Sequence, residues 1–201
     1  MADLLAKIGL DKLERAIAYG VILAVIFAII FGAIRLDYPW IQFLFRWLHV
    51  ISGVMWIGLL WYFNFVQIPS MPKIPDAEKP AVTKVIAPTA LFWFRWAALS
   101  TAVTGLILAW LNGYIADALM LGINVGGGKA TAIGIGMWLG LIMAYNVWFI
   151  IWPNQQKLLG LVEATPDEKK AAAKPAAMAS RFNTMSSIPM LYFMVSAQNI
   201  F

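Results

Sequence analysis

Three ionisable side chains fall inside long apolar stretches of this 201-residue sequence: Arg46, His49 and Arg95. Hydrocarbon penalises each by roughly 3 kcal/mol or more, so each is a candidate functional group. A neutral imidazole can bind a metal ion or relay a proton. A guanidinium without a carboxylate partner must reach the interface, bind carbonyl oxygens, or meet an anion brought by a lipid or a cofactor. No aspartate or glutamate lies inside any of these stretches. His49 is the only histidine and cysteine is absent. Disulfides, thiolate metal sites, iron–sulfur clusters and the C-x-x-C-H haem attachment are therefore excluded. A multi-histidine metal site within one chain is excluded too.

The elements that hold these residues are membrane spans. Apolar residues make up 62% of the sequence and charged residues 12%, and the mean hydropathy is +0.76. Soluble domains run nearer one-half apolar and one-quarter charged. The composition excludes a soluble enzyme, a disordered chain and a disulfide scaffold. It predicts an all-α polytopic membrane bundle of five transmembrane helices. The spans fall at about 16–34, 41–66, 88–110, 131–152 and 184–201. The first is long for a signal-peptide core and no small-residue cleavage pattern follows it. The expected organisation is an N-terminal amphipathic segment (1–15), an appended span with its outer loop (16–39), and a four-helix core (40–201).

Charge placement sets the expected orientation. Lys7, Lys12, Arg15, Lys73, Lys79, Lys84, Lys157, Lys169, Lys170, Lys174 and Arg181 share one side, against Arg35 and Lys129 on the other. Positive residues favour the cytoplasmic side. The N-terminus should be cytoplasmic and the C-terminus outside, as in a multi-pass protein of a bacterial inner membrane. The net charge of +5 is thus an orientation signal, and the lipid bilayer, not nucleic acid, is the expected partner. Trp40, Trp110 and Trp152 sit at span ends, where indoles favour the interface.

Depth sorts the polar groups. With a rise of about 1.5 Å per residue, His49 lies roughly 12 Å below the outer end of its span, and Arg46 one turn above it on the same face. Gly53, one turn below, could open space beside the ring. Thr101, Thr104, Met194, Ser196 and Gln198 reach similar depths on other spans. Arg95 lies roughly 10 Å above the inner end of its span, near the level of Tyr145 and Asn146. One buried imidazole can serve as an axial ligand to haem iron, and haem propionates would supply the anions that Arg46 and Arg95 lack. The sixth ligand would be Met194, another methionine, water or nothing. Asn64, Asn146 or Gln198 could tune such a site by hydrogen bonds. Two other readings stay open: His49 bonds a carbonyl in a packed core, or it belongs to a proton or transport path.

Spans two and four look alike. "MWIGLLWYFN" begins at Met55 and "MWLGLIMAYN" at Met137, with Asn64 and Asn146 at the same step and Pro69 and Pro153 just beyond. This pattern suggests two helical hairpins related by a parallel repeat. Gly136 and Gly140 form a GxxxG pair, expected to serve packing within the chain. Thr165-Pro166-Asp167-Glu168 has the order of a capping box, and a short surface helix stopping near Pro175 is expected after it. Gly126-Gly127-Gly128-Lys129 lacks the spacing of a phosphate loop and is expected to be a hinge.

Two segments carry a resemblance. "RWLHVISGVMWIGLLWYFNFVQIPSM" (Arg46–Met71) and "SRFNTMSSIPMLYFMVSAQN" (Ser180–Asn199) resemble segments of the urate oxidase N-terminal family. That family includes the membrane part of bacterial membrane-bound urate hydroxylases. Where family members carry a histidine after Ser-Asn, this chain has Ala197-Gln198. The chain looks like a short, membrane-only relative without the C-terminal cytochrome c domain. The Leu-His pattern around His49 also looks like the histidine helix of HemJ-type protoporphyrinogen oxidases and copper-resistance D proteins. That similarity implies haem b binding and supplies no substrate.

These observations support three functional expectations. The first is a haem b protein in electron transfer or a membrane oxidoreductase. His49 would be the metal ligand, and Arg46, Arg95, Gly53, Asn64, Asn146, Met194 and Gln198 would surround the cofactor. A cytochrome c or another redox protein would be the partner. The second is a non-catalytic accessory or scaffold subunit of a larger membrane complex, or a homo-oligomer. The third is an anion transporter using Arg46 and Arg95.

Overall fold

The computed structural model describes residue 7 and residues 9–201, and all of the regular structure among them is helical. The expected amphipathic segment 1–15 lies partly outside the described residues. Six helices are used below: α1 (Leu13–Ile30), α2 (Tyr38–Lys73), α3 (Lys79–Leu111), α4 (Ile115–Leu119), α5 (Lys129–Leu158) and α6 (Pro166–Asn199). Four of them, α1, α2, α3 and α5, are long and apolar enough to cross a membrane. The chain forms two compact units, Met1–Phe43 and Leu44–Phe201.

The first unit holds α1 and the start of α2. No α1 residue is buried, and beyond Arg15 its surface is apolar apart from Tyr19, as suits a helix whose solvent is lipid. Gly32 closes it with φ +63°, a left-handed conformation that glycine adopts without a Cβ penalty. The Asp37 carboxylate caps α2, accepting from the Trp40 N–H at 2.9 Å.

The second unit holds the core. Trp56, Leu60 and Phe63 of α2 pack with Leu91, Phe94 and Ala98 of α3, Met143 and Val147 of α5, and Met190 of α6. The Phe63 and Phe94 rings meet edge to face, 5.7 Å apart, a favourable aromatic geometry. A second cluster lies around Ala109, Ala118, Ala132, Ile133, Met137 and Ala197.

The long helices are not uniform. Three π-helical turns, Tyr62–Gln67, Val82–Ile86 and Asn146–Ile151, interrupt α2, α3 and α5. Pro69, Pro88 and Pro153 each follow one of these turns by two residues. Proline has no N–H and its ring collides with the carbonyl one turn earlier. Widening the preceding turn relieves that collision without breaking the helix.

The capping box at the start of α6 is present. The Thr165 N–H donates to Glu168 Oε2 at 2.8 Å, and the Glu168 N–H donates to Thr165 Oγ1 at 3.2 Å. The bonds that the Thr165 N–H and hydroxyl donate to the Glu168 carboxylate lower its pKa from the ordinary value. The expected stop near Pro175 is corrected: α6 runs through both Pro175 and Pro189 to Asn199. Ala172, Ala176 and Ala179 recur at near-turn spacing and are buried. Their packing offsets the interior proline, which costs about 3 kcal/mol.

Sequence reasoning also missed α4. This short helix docks on α5, where Gly134 leaves room for the Ala118 carbonyl. Trp138 Nε1 donates to the Leu119 carbonyl at 3.0 Å, and Thr131 Oγ1 donates to the Leu121 carbonyl at 2.7 Å. Gly126, Gly127 and Gly128 all have positive φ and lead the chain into α5. A Cβ at Gly134 would collide with the Ala118 carbonyl oxygen. Gly134→Val is therefore expected to cost about 1–3 kcal/mol, read as a lower unfolding temperature in detergent. An unchanged temperature would contradict this docking.

Gly136 of the GxxxG pair packs inside the chain. A Cβ there would lie 3.2 Å from the Met194 nitrogen of α6, whereas Gly140 faces open space.

Candidate functional site

His49 sits half-buried on α2 against α3. Its Nδ1 lies 2.9 Å from the Thr101 carbonyl oxygen. A carbonyl only accepts, so Nδ1 carries the proton, and in the neutral form of the ring the lone pair is then on Nε2. Thr104 Oγ1 stands 3.5 Å from Nδ1 but donates to the Ser100 carbonyl at 2.6 Å. Thr101 itself is buried, its hydroxyl donating to the Ala97 carbonyl at 2.7 Å. The depth argument from sequence had put Thr101 and Thr104 at this level.

Two glycines shape the niche. A Cβ on Gly105 would fall 2.8 Å from His49 Cε1 and 3.0 Å from Nδ1. The ring therefore occupies the place of a side chain on α3. A Cβ on Gly53 would meet only the Thr101 methyl group, at 3.8 Å. Gly53 thus faces Thr101 and has no His49 atom within 4 Å of such a Cβ. Sequence reasoning missed Gly105. Its signal was the spacing Thr101, Thr104, Gly105, which sets two hydroxyls and a gap on adjoining positions of one helix.

Below Gly53 on the same face lies Trp56, 2% exposed. Its indole N–H is buried without a hydrogen-bond partner among the described residues. Arg46, one turn outward from His49, is exposed. Its charge acts on Tyr114, whose phenol is pushed up by burial and drawn down, to a lesser degree, by Arg46.

The other expected site residues are held elsewhere. Asn64 Nδ2 donates to the Leu60 carbonyl and to Ser180 Oγ, both at 2.9 Å. Asn146 Nδ2 donates to Asn183 Oδ1 at 2.8 Å, and Asn183 Nδ2 donates to the Met143 carbonyl at 2.9 Å. These amides tie α2 and α5 to α6. Met194 packs on Gly136, and Gln198 is exposed.

Arg95 forms a third cluster. Its guanidinium carbon lies 3.8 Å from the ring centre of Trp152, 5.0 Å from Trp148 and 5.8 Å from Trp96. The sequence reading found no intramembrane protein partner for Arg95. The structure supplies three aromatic faces instead of a carboxylate. The missed signal was Trp148 and Trp152 one turn apart on α5.

The Asn183 network makes a prediction. Asn183→Leu would leave the Asn146 side-chain amide without its partner in a buried place and would take one of two donors from the Met143 carbonyl. An unpaired buried group costs about 1–3 kcal/mol, less where it finds another partner in the membrane. The expected result is a lower unfolding temperature, with a smaller loss when Asn146→Leu is added. Strict additivity of the two changes would contradict the pairing.

No group of three or more His, Cys, Asp or Glu side chains is placed to hold a metal ion among the described residues. A single imidazole held in this way can offer Nε2 to a metal as one ligand. Metal-ligating histidines characteristically donate their other ring N–H to a carbonyl or carboxylate, which orients the ring and raises its basicity.

Residues 121–200 match the family model described as urate oxidase N-terminal, the family that the sequence resembles. The match contains the Ser180–Asn199 segment, while the Arg46–Met71 segment lies outside it. No curated protein and no solved structure matches the chain.

Proposed function

We propose that the chain is a membrane protein that binds haem b through His49 and works in electron transfer or in a membrane oxidoreductase. The observation that carries this reading is the Nδ1–H bond to the Thr101 carbonyl. It leaves Nε2 as the ligating atom of a ring for which Gly105 makes room. Bound haem would supply one-electron exchange at iron. The chain's own residues orient and tune. Thr101 holds the ring proton. Arg46, one turn outward, offers a guanidinium to a propionate. Trp56, Ala97 and Ala98 keep water from the inward side. A cytochrome c or another redox protein is the proposed partner.

The proposed topology has five spans. The fifth is the second half of α6. Its support is that Met190 and Met194 pack beside Gly136, while Ala197 joins the cluster of Ala109 and Ala132. This half of α6 therefore runs alongside α5, which is long and apolar enough to cross a membrane. Two spans joined by a cytoplasmic loop then place the C-terminus outside. The lysines and arginines gathered at the other end favour a cytoplasmic N-terminus, and the family resemblance favours a bacterial inner membrane. The proposed parallel repeat gains support from the π-helical turns. Asn64 and Asn146 each lie in one, and their partners Ser180 and Asn183 are one turn apart on α6.

A second reading is an accessory subunit or scaffold. It draws on α1, an apolar helix of 18 residues without one buried side chain. Haem quantitation on the purified full chain separates the two. The first reading expects about one b haem per chain. Colourless, well-folded protein would contradict it and return His49 to a packing role.

A further inference from the structure

We infer that Arg95 and its three tryptophans form a binding site for an oxyanion, supplied by the phosphate of a membrane lipid. Arg95, expected from sequence beside the cofactor of His49, has no part in the proposed haem site, and the inference uses none of the residues assigned there.

Three observations carry it. First, the guanidinium has aromatic faces around it but no hydrogen-bond acceptor among the described residues. The indoles of Trp152, Trp148 and Trp96 surround it at 3.8, 5.0 and 5.8 Å, yet Nε is buried without a partner. Aromatic faces attract the cation but do not accept its in-plane N–H groups along their normal directions. With Nε covered, the two terminal amino groups are the donors left to meet a ligand. Unmade hydrogen bonds of a charged group in hydrocarbon are costly.

Second, the box is built. Trp148 Nε1 donates to the Arg95 carbonyl at 3.2 Å, and Trp96 stacks edge-on against Trp148 at 5.4 Å. Clamped in this way, the guanidinium is oriented before any ligand arrives, which lowers the entropy cost of binding. A planar fork presented like this suits the paired oxygens of a phosphate.

Third, the depth is right for a headgroup. Hydrocarbon about 30 Å thick takes about 20 residues of helix. Counted back from Leu111, that reaches the turn just before Arg95. Phe92, Trp93 and Trp96 are exposed there on α3, as expected for an aromatic belt at the interface. The α3 and α5 stretches around the box hold no carboxylate to compete for Arg95.

The test uses the full chain in detergent, with bound phospholipid counted by native mass spectrometry. Wild type is expected to retain one phospholipid more than Arg95→Gln. Trp152→Leu keeps the charge but loosens the clamp, and should weaken retention about tenfold. It carries the same test should Arg95→Gln not fold. Tryptophan fluorescence is followed in parallel during titration of delipidated protein with phosphatidylglycerol or with inorganic phosphate. A saturable change with lipid in wild type, absent from Arg95→Gln, is expected. A change with inorganic phosphate and none with lipid would overturn the lipid as the source. Equal lipid retention by wild type and both variants would overturn the site.

Discussion

Replacing His49 with alanine is expected to remove about nine tenths or more of the bound haem while leaving the fold intact, because the sequence offers no second imidazole to take its place. The structural loss is small. Among the described residues, the only hydrogen bond given up within 3.0 Å is the one to the Thr101 carbonyl, a contribution of about 0.5–1.5 kcal/mol. Helicity and elution from a sizing column should therefore match wild type. The truncation also opens a space the size of the lost ring beside Gly105. Imidazole added to the growth medium or to the purified variant is expected to restore part of the absorption spectrum. Full haem content in His49→Ala would show that another group holds the iron.

Gly105→Val should act on the same site from the opposite helix. The ring of His49 lies where a side chain at position 105 would begin, with Cε1 only 2.8 Å from the would-be Cβ. Even one carbon must push the ring aside. The two methyl groups of valine would remove it from the Thr101 carbonyl altogether. Loss of an orienting hydrogen bond of this kind typically costs about 10–100-fold in metal affinity. Haem dissociation measured by transfer to an acceptor apoprotein should accelerate accordingly. Gly105→Ala should fall between valine and wild type, since the ring can pivot to accept one carbon. Equal dissociation rates across the series would contradict the packing of His49 on α3. The helix itself tolerates either residue, as Gly105 is helical with no positive φ.

Much of the scaffold could be foreseen because its causes are local. Long apolar runs bounded by charge mark α1, α2, α3 and α5, and the Thr165–Glu168 box marks the start of α6. Depth arithmetic brought Thr101 and Thr104 to the level of His49, since α-helical rise is nearly constant. The features that escaped depend on packing between distant segments. Pro175 reads locally as a stop, but the buried face of Ala172, Ala176 and Ala179 carries the helix through it. The apolar, glycine-rich outer loop gives no period that marks α4, whose place depends on the absent side chain of Gly134. For Arg95 the sequence offers the interface, carbonyls or an anion as partners; which indoles lie over its guanidinium depends on how α3 and α5 pack, so Trp148 and Trp152 are not legible as its neighbours. Asn64 and Asn146 were polar and at plausible depth, yet their amides join helices to α6.

The single histidine makes the central assignment directly measurable. Protein grown with 15N-histidine carries the label at position 49 and nowhere else. Pulsed electron paramagnetic resonance of the oxidised protein then reads the axial nitrogen of the iron. The account predicts that the strongly coupled axial 14N signal is replaced by that of 15N. A ferric spectrum with unchanged axial nitrogen couplings, or no haem signal in folded protein, would contradict the assignment of His49 as the ligand.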